Sequence, residues 1–302
     1  MMKNVVAVTL VSIITLSAFA CQGEELPSGE EIIDGAIAAL EDLETYQFDA
    51  EMNMEMTVET EGETGRFTAS ADYSGATDIA DSESMINLDI NVTGTGELGE
   101  DMEMSVGAEM YLIDSTVYAK IDMPFFMDEG WGSGWIKFEI PEDLIEQPTP
   151  ANQLDYLTEI LELAEFKVTG TQKMNSVACY VLEMTPDMDK LMDLIAQQVQ
   201  LATGEEPEDM ELEQLRNMLN NIANDMSLKL WIAKDTYFLT RMELNASLDM
   251  TPEDLGEPEE EGRLITNISM IFDIHEINQP VSIELPPEAE GATEMPLDDM
   301  PW

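Results

Sequence analysis

The sequence predicts an α+β fold in which a single, strongly curved antiparallel sheet, an open barrel, is wrapped around or covered by amphipathic helices. Long segments alternate apolar and polar residues with a period of two, which is typical of strands with one dry and one wet face. Successive segments are joined by short turns, which favour an antiparallel meander over parallel β-α-β units. Other segments repeat apolar residues with helical spacing, and the dry face of the sheet is the only large apolar surface available to cover them.

The strands of the first half follow one another closely. Residues 46–58 alternate almost perfectly, and their apolar set is Tyr46, Phe48, Ala50, Met52, Met54, Met56 and Val58. The same alternation continues in 67–73, 86–92, 102–112 and 117–121. Because the connections are short, we expect these segments to pair as neighbours in one sheet.

The second half contains further strands. Residues 166–171 and 177–184 predict a hairpin, residues 228–233 and 238–250 predict another, and 264–277 predict a long strand. This gives about nine strands. A split into two domains near residue 150 is the alternative, but no linker-like segment separates the halves, so we prefer one domain over 29–287.

Helical segments are indicated by capping signals. Ser28 and Glu31 have the spacing of a capping box, and the helix that they open is predicted to end near Glu44. Thr149-Pro150 places an N-cap before a proline at the first helical position, and Thr185-Pro186 repeats this device. The latter opens a predicted two-helix insert over 186–225. Residues 288–302, rich in proline and acidic residues, are predicted to form a disordered tail.

The N-terminus has the layout of an export signal. Lys3 precedes an apolar run from Val5 to Ala20, which is short for a membrane span and ends in small residues before Cys21. We therefore predict a removed signal peptide over 1–20, a lipid on Cys21 and a polar tether over 21–28. The alternative is an ordinary signal peptide that leaves a free thiol at Cys21.

The composition excludes several function classes. The chain has 64 acidic and 12 basic residues and a formal net charge of −52, which argues against nucleic acid as a partner. His275 is the only histidine, and we interpret it as a strand residue at the sheet surface. The sequence has no phosphate-binding glycine loop and no spacing typical of a metal site. We expect no catalytic residues, no metal and no cofactor.

The dry face of the predicted sheet is the best candidate for binding. Methionine suits surfaces that adapt to several apolar partners, so a cavity lined by this face could hold acyl chains. The candidate residues are Met52, Met54, Met56, Leu88, Ile90, Met102, Met104, Met110, Met242 and Leu244. The alternative is that the same residues form an ordinary filled core.

An aromatic segment near the middle of the chain is a second candidate. Phe125, Phe126, Trp131 and Trp135 lie in a glycine-rich stretch that is predicted to be a long loop. These residues could form the mouth of the cavity or dip into a membrane interface, where tryptophan is favoured. The alternative, given equal weight, is a loop packed on the rim of the barrel.

Three segments carry a resemblance to a known group. The run Tyr111-Leu112-Ile113-Asp114-Ser115-Thr116-Val117-Tyr118-Ala119-Lys120, followed by Gly134-Trp135-Ile136-Lys137, is similar to a hairpin and following strand of the LolA-like and LppX/LprG-like lipoproteins. Leu230-Trp231-Ile232-Ala233-Lys234-Asp235-Thr236-Tyr237 is similar to their later hairpin, and 277–286 to their closing strand. The resemblance covers most of 29–287. The helical insert of 186–225 departs from it.

The resemblance implies a half-open β-barrel closed by helices, with a hydrophobic cavity that several members use to carry acyl chains. The expectation is therefore an extracytoplasmic protein, anchored to the cell membrane by the lipid on Cys21 and monomeric, which binds a hydrophobic ligand without catalysis. The alternative is a surface-tethered structural or interaction module with a solid core and no ligand.

Overall fold

The structure, a computed structural model, describes residues 26–60, 62–96, 102–122, 134–140, 161, 164–190, 192, 225–251 and 262–295. The predicted signal peptide 1–20 and Cys21 lie outside these residues. Most of the predicted helix after Pro150 and of the predicted insert 186–225 also lies outside them, so the wrapping of the sheet by several helices stays a prediction.

Helix α1 spans Gly29–Leu40, and the predicted capping box at its start is confirmed. The Ser28 hydroxyl accepts a hydrogen bond from the Glu31 backbone amide at 3.2 Å, and the Glu31 carboxylate accepts one from the Ser28 amide at 2.9 Å. The hydrogen bonds that the Ser28 amide and the Ser28 hydroxyl donate to the Glu31 carboxylate lower the pKa of Glu31. The helix ends at Leu40, earlier than the predicted end near Glu44, and a short turn leads to β1 at Thr45.

The described residues form one twelve-stranded, open sheet. Its strands are β1 (Thr45–Thr60), β2 (Glu63–Asp78), β3 (Glu83–Gly96), β4 (Met102–Ile113), β5 (Thr116–Asp122), β6 (Ile136–Glu139), β7 (Ala164–Met174), β8 (Val177–Pro186), β9 (Ser227–Ala233), β10 (Leu239–Met250), β11 (Arg263–His275) and β12 (Thr293–Glu294). Their order is β12-β6-β5-β4-β3-β2-β1-β11-β10-β9-β8-β7. All pairs are antiparallel except β12 with β6, which is parallel.

The centre of the sheet joins the two halves of the chain. Strand β1 pairs with β2 on one side and with β11 on the other, residue for residue over most of its length. The sheet is therefore continuous across the boundary near residue 150 that a two-domain arrangement would need. Its two outermost strands, β12 and β7, do not pair with each other, so the curled sheet stays open.

Two clusters of buried residues lie on opposite faces of the sheet. In the first, α1 packs through Ile32, Ile33 and Ala36 against Leu182 of β8 and Leu230 of β9. The second cluster lies on the other face, far along the strand order, and is built around Tyr111, Trp135 and Ala289. Further apolar residues pack against it: Met85, Ile113, Tyr118, Ile283, Leu285 and Ala292.

The predicted disordered tail over 288–302 is wrong for residues up to 295. Residues Pro287–Gly291 form a 3-10 helix, and Ala289 at its centre is completely buried in the second cluster. Strand β12 then pairs with β6, and the Met295 amide donates to the Lys137 carbonyl at 2.9 Å. Packing of a few apolar residues thus orders the acidic segment up to residue 295. Residues 296–302 lie outside the described residues.

A second correction concerns Thr185-Pro186. The predicted helix does follow, with helical residues at 188–190, but Thr185 and Pro186 do not open it, because both belong to β8, where Thr185 pairs with Glu165 of β7. The strand alternation that begins at Val177 therefore continues two residues past Met184. The helix begins at Met188, two residues later than predicted, and Asp187 caps it by accepting a hydrogen bond from the Lys190 amide at 3.3 Å.

Asn278 ties the junction between α1 and β1 to the segment after β11. Its side-chain oxygen accepts from the Glu44 amide at 2.8 Å, and its side-chain amide donates to the Asp42 carbonyl at 2.9 Å. Its own backbone amide donates to the Thr45 carbonyl at 2.8 Å. The residue adopts φ of 54°, a conformation that asparagine tolerates better than most residues.

We expect Asn278→Gly to lower the free energy of unfolding by about 1.5 kcal/mol, since it removes the side-chain hydrogen bonds while keeping the positive φ accessible. Chemical denaturation measures this loss. Glu276→Gly is the matched control, because Glu276 also has a positive φ of 49° but no comparable clamp. Equal losses in both variants would contradict the role of the Asn278 side chain.

Candidate functional site

One face of the sheet is apolar across most of its width, and we call it the apolar face. Residues that pair directly in an antiparallel ladder point to the same side. One row of such pairs crosses nine strands without a polar side chain: Phe166, Met184, Leu228, Leu244, Met270, Met52, Ala71, Ile90 and Val106. A second row runs parallel to it: Ala246, Ile268, Met54, Ala69, Val92 and Met104.

The ten predicted binding residues all lie on this face. Met56 and Met102 belong to one row through Phe67 and Gly94, and Leu88 and Met242 to another through Tyr73, Ala50 and Phe272. Met110 lies opposite Ile86. None of the ten is fully buried, and Met102 is 41% exposed. Their role in lining a ligand cavity stays a prediction.

Two glycines let phenylalanine rings lie flat on the apolar face. A side chain at Gly75 would meet the Phe48 ring at 2.6 Å, and one at Gly94 would meet the Phe67 ring at 3.2 Å. The Phe48 ring also stacks on Phe272 with a centroid distance of 5.3 Å. The sequence reasoning missed these glycines, although each stands at an apolar position of the period-two pattern.

Helix α1 covers the β8–β10 end of the apolar face. The cavity beneath it has a volume of about 50 Å³ and an almost entirely apolar lining: Ala36, Leu40, Leu161, Met184, Leu228, Leu230, Ile232, Leu239 and Met242. Ligand sites usually measure roughly 300–1,000 Å³. This covered end is therefore too small for an acyl chain in the present arrangement.

Tyr237 holds the helix in this position. It has a φ of 59°, an uncommon conformation for a bulky residue. Its ring lies against α1 so closely that a side chain at Gly35 would come within 2.5 Å of it. The close approach explains why a glycine stands in the middle of the helix.

The predicted cavity-mouth residues are not all near the apolar face. Phe125, Phe126 and Trp131 lie outside the described residues. Trp135 is buried on the opposite face, where its ring lies 5.8 Å from the ring of Tyr111. The reason is the register: Ile136 pairs with Ala119, which belongs to the apolar face, so the preceding residue points the other way. This placement agrees with the alternative in which the aromatic residue packs as part of the scaffold.

The environment of Tyr111 shows how dry the second cluster is. Its hydroxyl donates to the Glu109 carboxylate at 2.8 Å. Burial, reinforced by this hydrogen bond and the carboxylate charge, raises the pKa of Tyr111 to about 12. The tyrosine is therefore neutral at physiological pH.

The opposite face of the sheet carries the charged residues, and we call it the polar face. Arg241 donates to the Asp273 carboxylate through two nitrogens, one of them at 2.6 Å, and this pairing raises the arginine pKa. His275 lies at the end of β11 with its Nε2 2.9 Å from an Asp49 carboxylate oxygen. Among the described residues, no group of three or more metal-ligating side chains is present.

Two further observations concern membrane-spanning helices and the free cysteine Cys179. No helix in the described part of the chain is long and apolar enough to cross a membrane. Cys179 is completely buried, and its sulfur lies 3.5 Å from the Thr240 hydroxyl. This burial is typical of a cysteine that packs as a small apolar side chain.

Comparisons with known proteins give one family and several structures. Residues 28–294 match the profile of DUF6612, described as a family of unknown function. LprF from Mycobacterium bovis is 14% identical, with a TM-score of 0.39 over 85% of this chain and 96% of that chain. The Mycobacterium tuberculosis lipoprotein LppX is 13% identical, with a TM-score of 0.35 over 84% and 97%.

A LolA superfamily protein from Nitrosomonas europaea is 12% identical, with a TM-score of 0.22 over 86% of this chain and 96% of that chain. These matches include members of the group that the sequence segments resemble. No curated protein sequence matches the chain significantly.

We expect Trp135→Ala to destabilise the protein by about 3 kcal/mol, because it removes a large buried ring from the second cluster. Thermal or chemical unfolding measures this effect. Because Trp135 lies on the polar side of the sheet, binding of a hydrophobic probe, measured well below the melting temperature, should not change. A loss of probe affinity without a loss of stability would contradict this assignment of faces.

Proposed function

The chain belongs to the DUF6612 family of unknown function, and we propose that it binds a hydrophobic ligand, an acyl chain or a lipid, on its apolar face without catalysing a reaction. The observation that supports this proposal is the apolar row that crosses nine strands while its central methionines stay only partly buried. Soluble monomers seldom leave a contiguous apolar surface of this extent without a binding role.

The composition of the central strands suits an adaptable ligand. Met52, Met54 and Met104 supply flexible, polarizable side chains. Ala69 and Ala71 lie between them on β2, and Ala71 is covered by its neighbours so that only 1% of its surface is exposed. Each apolar square ångström that a ligand removes from water contributes roughly 25 cal/mol. An acyl chain lying across these strands would therefore bind without any polar anchor.

The second candidate function is a surface-tethered structural or interaction module with a solid core. The observation that favours it is the small cavity of about 50 Å³ beneath α1. The two candidates differ in one measurable property, since a solid core offers no site for a lipid. Native mass spectrometry of untagged protein from its host distinguishes them, and absence of any co-purified lipid would favour the module.

We further propose that the protein works outside the cytoplasm, anchored by a lipid on Cys21. The family match begins at residue 28 and α1 begins at Gly29, so the signal-like segment precedes the folded domain. The polar residues after Cys21 would then act as a short tether. Two or more acyl chains suffice for stable anchoring.

Met54→Gln tests the ligand site. A polar amide on the apolar face costs about 1 kcal/mol of binding free energy, which weakens affinity for a fluorescent fatty acid about fivefold. Asn53→Gln is the matched control, because it changes the adjacent residue on the polar face and should leave the affinity unchanged. If the unmodified protein does not bind the probe, or both variants lose affinity equally, the proposed site is wrong.

Cys21→Ser tests the anchor. The variant should move from the membrane fraction to the soluble fraction and lose the added mass of the lipid, because no thiol remains to be acylated. Fractionation and intact-mass measurement in a bacterial host provide the two readouts. Cys179→Ala is the control and should stay in the membrane; an unchanged distribution of Cys21→Ser would refute lipid anchoring at this residue.

A further inference from the structure

We propose that the polar face binds an uncharged glycan chain along a row of alternating asparagine and serine side chains, which we call the amide row. It crosses seven strands from β9 to β4: Ser227, Asn245, Ser269, Asn53, Ser70, Asn91 and Ser105. Each member pairs directly with the next, and the alternation is unbroken. The proposal is independent of the hydrophobic ligand, which would occupy the other face.

The spacing of the amide row suits a polymer with a two-residue repeat. Adjacent strands lie about 4.8 Å apart, so an asparagine recurs every 10 Å or so along the row. This distance corresponds to one disaccharide unit of an extended β-1,4-linked glycan. Each successive disaccharide of the glycan can therefore meet an equivalent asparagine–serine pair along the amide row.

The amide row is uncharged in a chain with a net charge of −52. One neighbouring row places Glu51, Asp72 and Asp89 directly opposite one another on adjacent strands. Such a surface repels anionic polymers and gives no advantage to a hydrophobic one. A neutral partner rich in hydroxyl groups carries no charge for these carboxylates to repel.

The side chains of the amide row have hydrogen-bonding capacity to offer. Among the described residues, those of Asn53, Ser70 and Ser269 form no hydrogen bond with another side chain or with the backbone. Ser105 donates to the Asn91 side-chain oxygen at 2.9 Å, which leaves the Asn91 amide nitrogen as a donor. Amides and hydroxyls present both donors and acceptors, as the hydroxyl and acetamido groups of N-acetylhexosamines do.

A cavity lies over one end of the amide row. Its volume is about 330 Å³, which reaches the usual scale of ligand sites and is larger than the cavity beneath α1. Its lining comes mainly from β10, β11 and β1: Asn53, Glu55, Asp225, Asn245, Ala246, Ser247, Asn267, Ile268 and Ser269. Ser247 donates to the Asn267 side-chain oxygen at 2.9 Å, which orients that amide within the cavity.

The test uses the β-1,4-linked tetramer of N-acetylglucosamine with the full-length protein, in the presence of a chelator. The unmodified protein should bind the tetramer in titration calorimetry or by NMR shift changes. Asn53→Ala combined with Asn267→Ala should weaken the affinity at least tenfold. Asn87→Ala, which lies on the polar face but outside the amide row and the cavity, should bind as the unmodified protein does.

Four outcomes would overturn the proposal. The unmodified protein could fail to bind the tetramer, or Asn87→Ala could lose as much affinity as the double variant. Binding that falls with added salt would indicate a charged contact rather than a neutral one. Met54→Gln separates the two faces, because it should leave glycan affinity unchanged; a loss there would place the tetramer on the apolar face.

Discussion

The register of β1 with its two neighbours determines what each face of the sheet can do. From Gln47 to Glu59, every residue of β1 pairs with one on β11, and the pairing with β2 extends from Thr45 to Thr60. Because side chains alternate between faces, a shift of one residue would exchange Met52 and Met54 with Glu51 and Asn53. Such a shift would move the methionines to the polar face and carboxylates to the apolar face, so the alternation disfavours it.

This constraint explains why much of the fold could be predicted from the sequence. The period-two pattern is local, and it identified the long strands and assigned all ten candidate residues to one face. Helix α1 could be predicted because a capping box is also a local signal. Strands β6 and β12 contain only four and two residues, too few for periodicity to show.

What the sequence could not predict depends on contacts between distant residues. Ala289 is buried because Tyr111 and Trp135 provide a surface for it on the polar side of the sheet. The face that Trp135 occupies follows from the register of β6 with β5, which composition does not reveal. Asn278 can hydrogen-bond to the junction between α1 and β1 because the chain returns to the start of β1 after more than two hundred residues.

The acidity of the chain is distributed according to the same division of faces. Toward β7, a row on the polar face alternates in sign through Lys167, Glu183, Lys229 and Glu243. Toward β3 the row becomes uniformly acidic, with Glu51, Asp72 and Asp89 directly opposite one another. Directly opposed like charges destabilise a sheet. This arrangement persists because the polar face is in water, where repulsion is weak and solubility benefits. It also keeps this face away from anionic headgroups, so an approach to a bilayer would have to use another part of the molecule.

The position of α1 indicates where on the apolar face a hydrophobic ligand would lie. The helix closes the β8–β10 end over a cavity of about 50 Å³, and Tyr237 holds it there in a conformation that costs roughly 1–2 kcal/mol. Opening that end would break the contacts of Ile32 and Ile33, which are almost completely buried. The central strands need no such rearrangement, because Met52, Met54 and Met104 are already partly exposed. The proposed ligand would therefore lie across β1 to β4, with α1 as the closed end of its site.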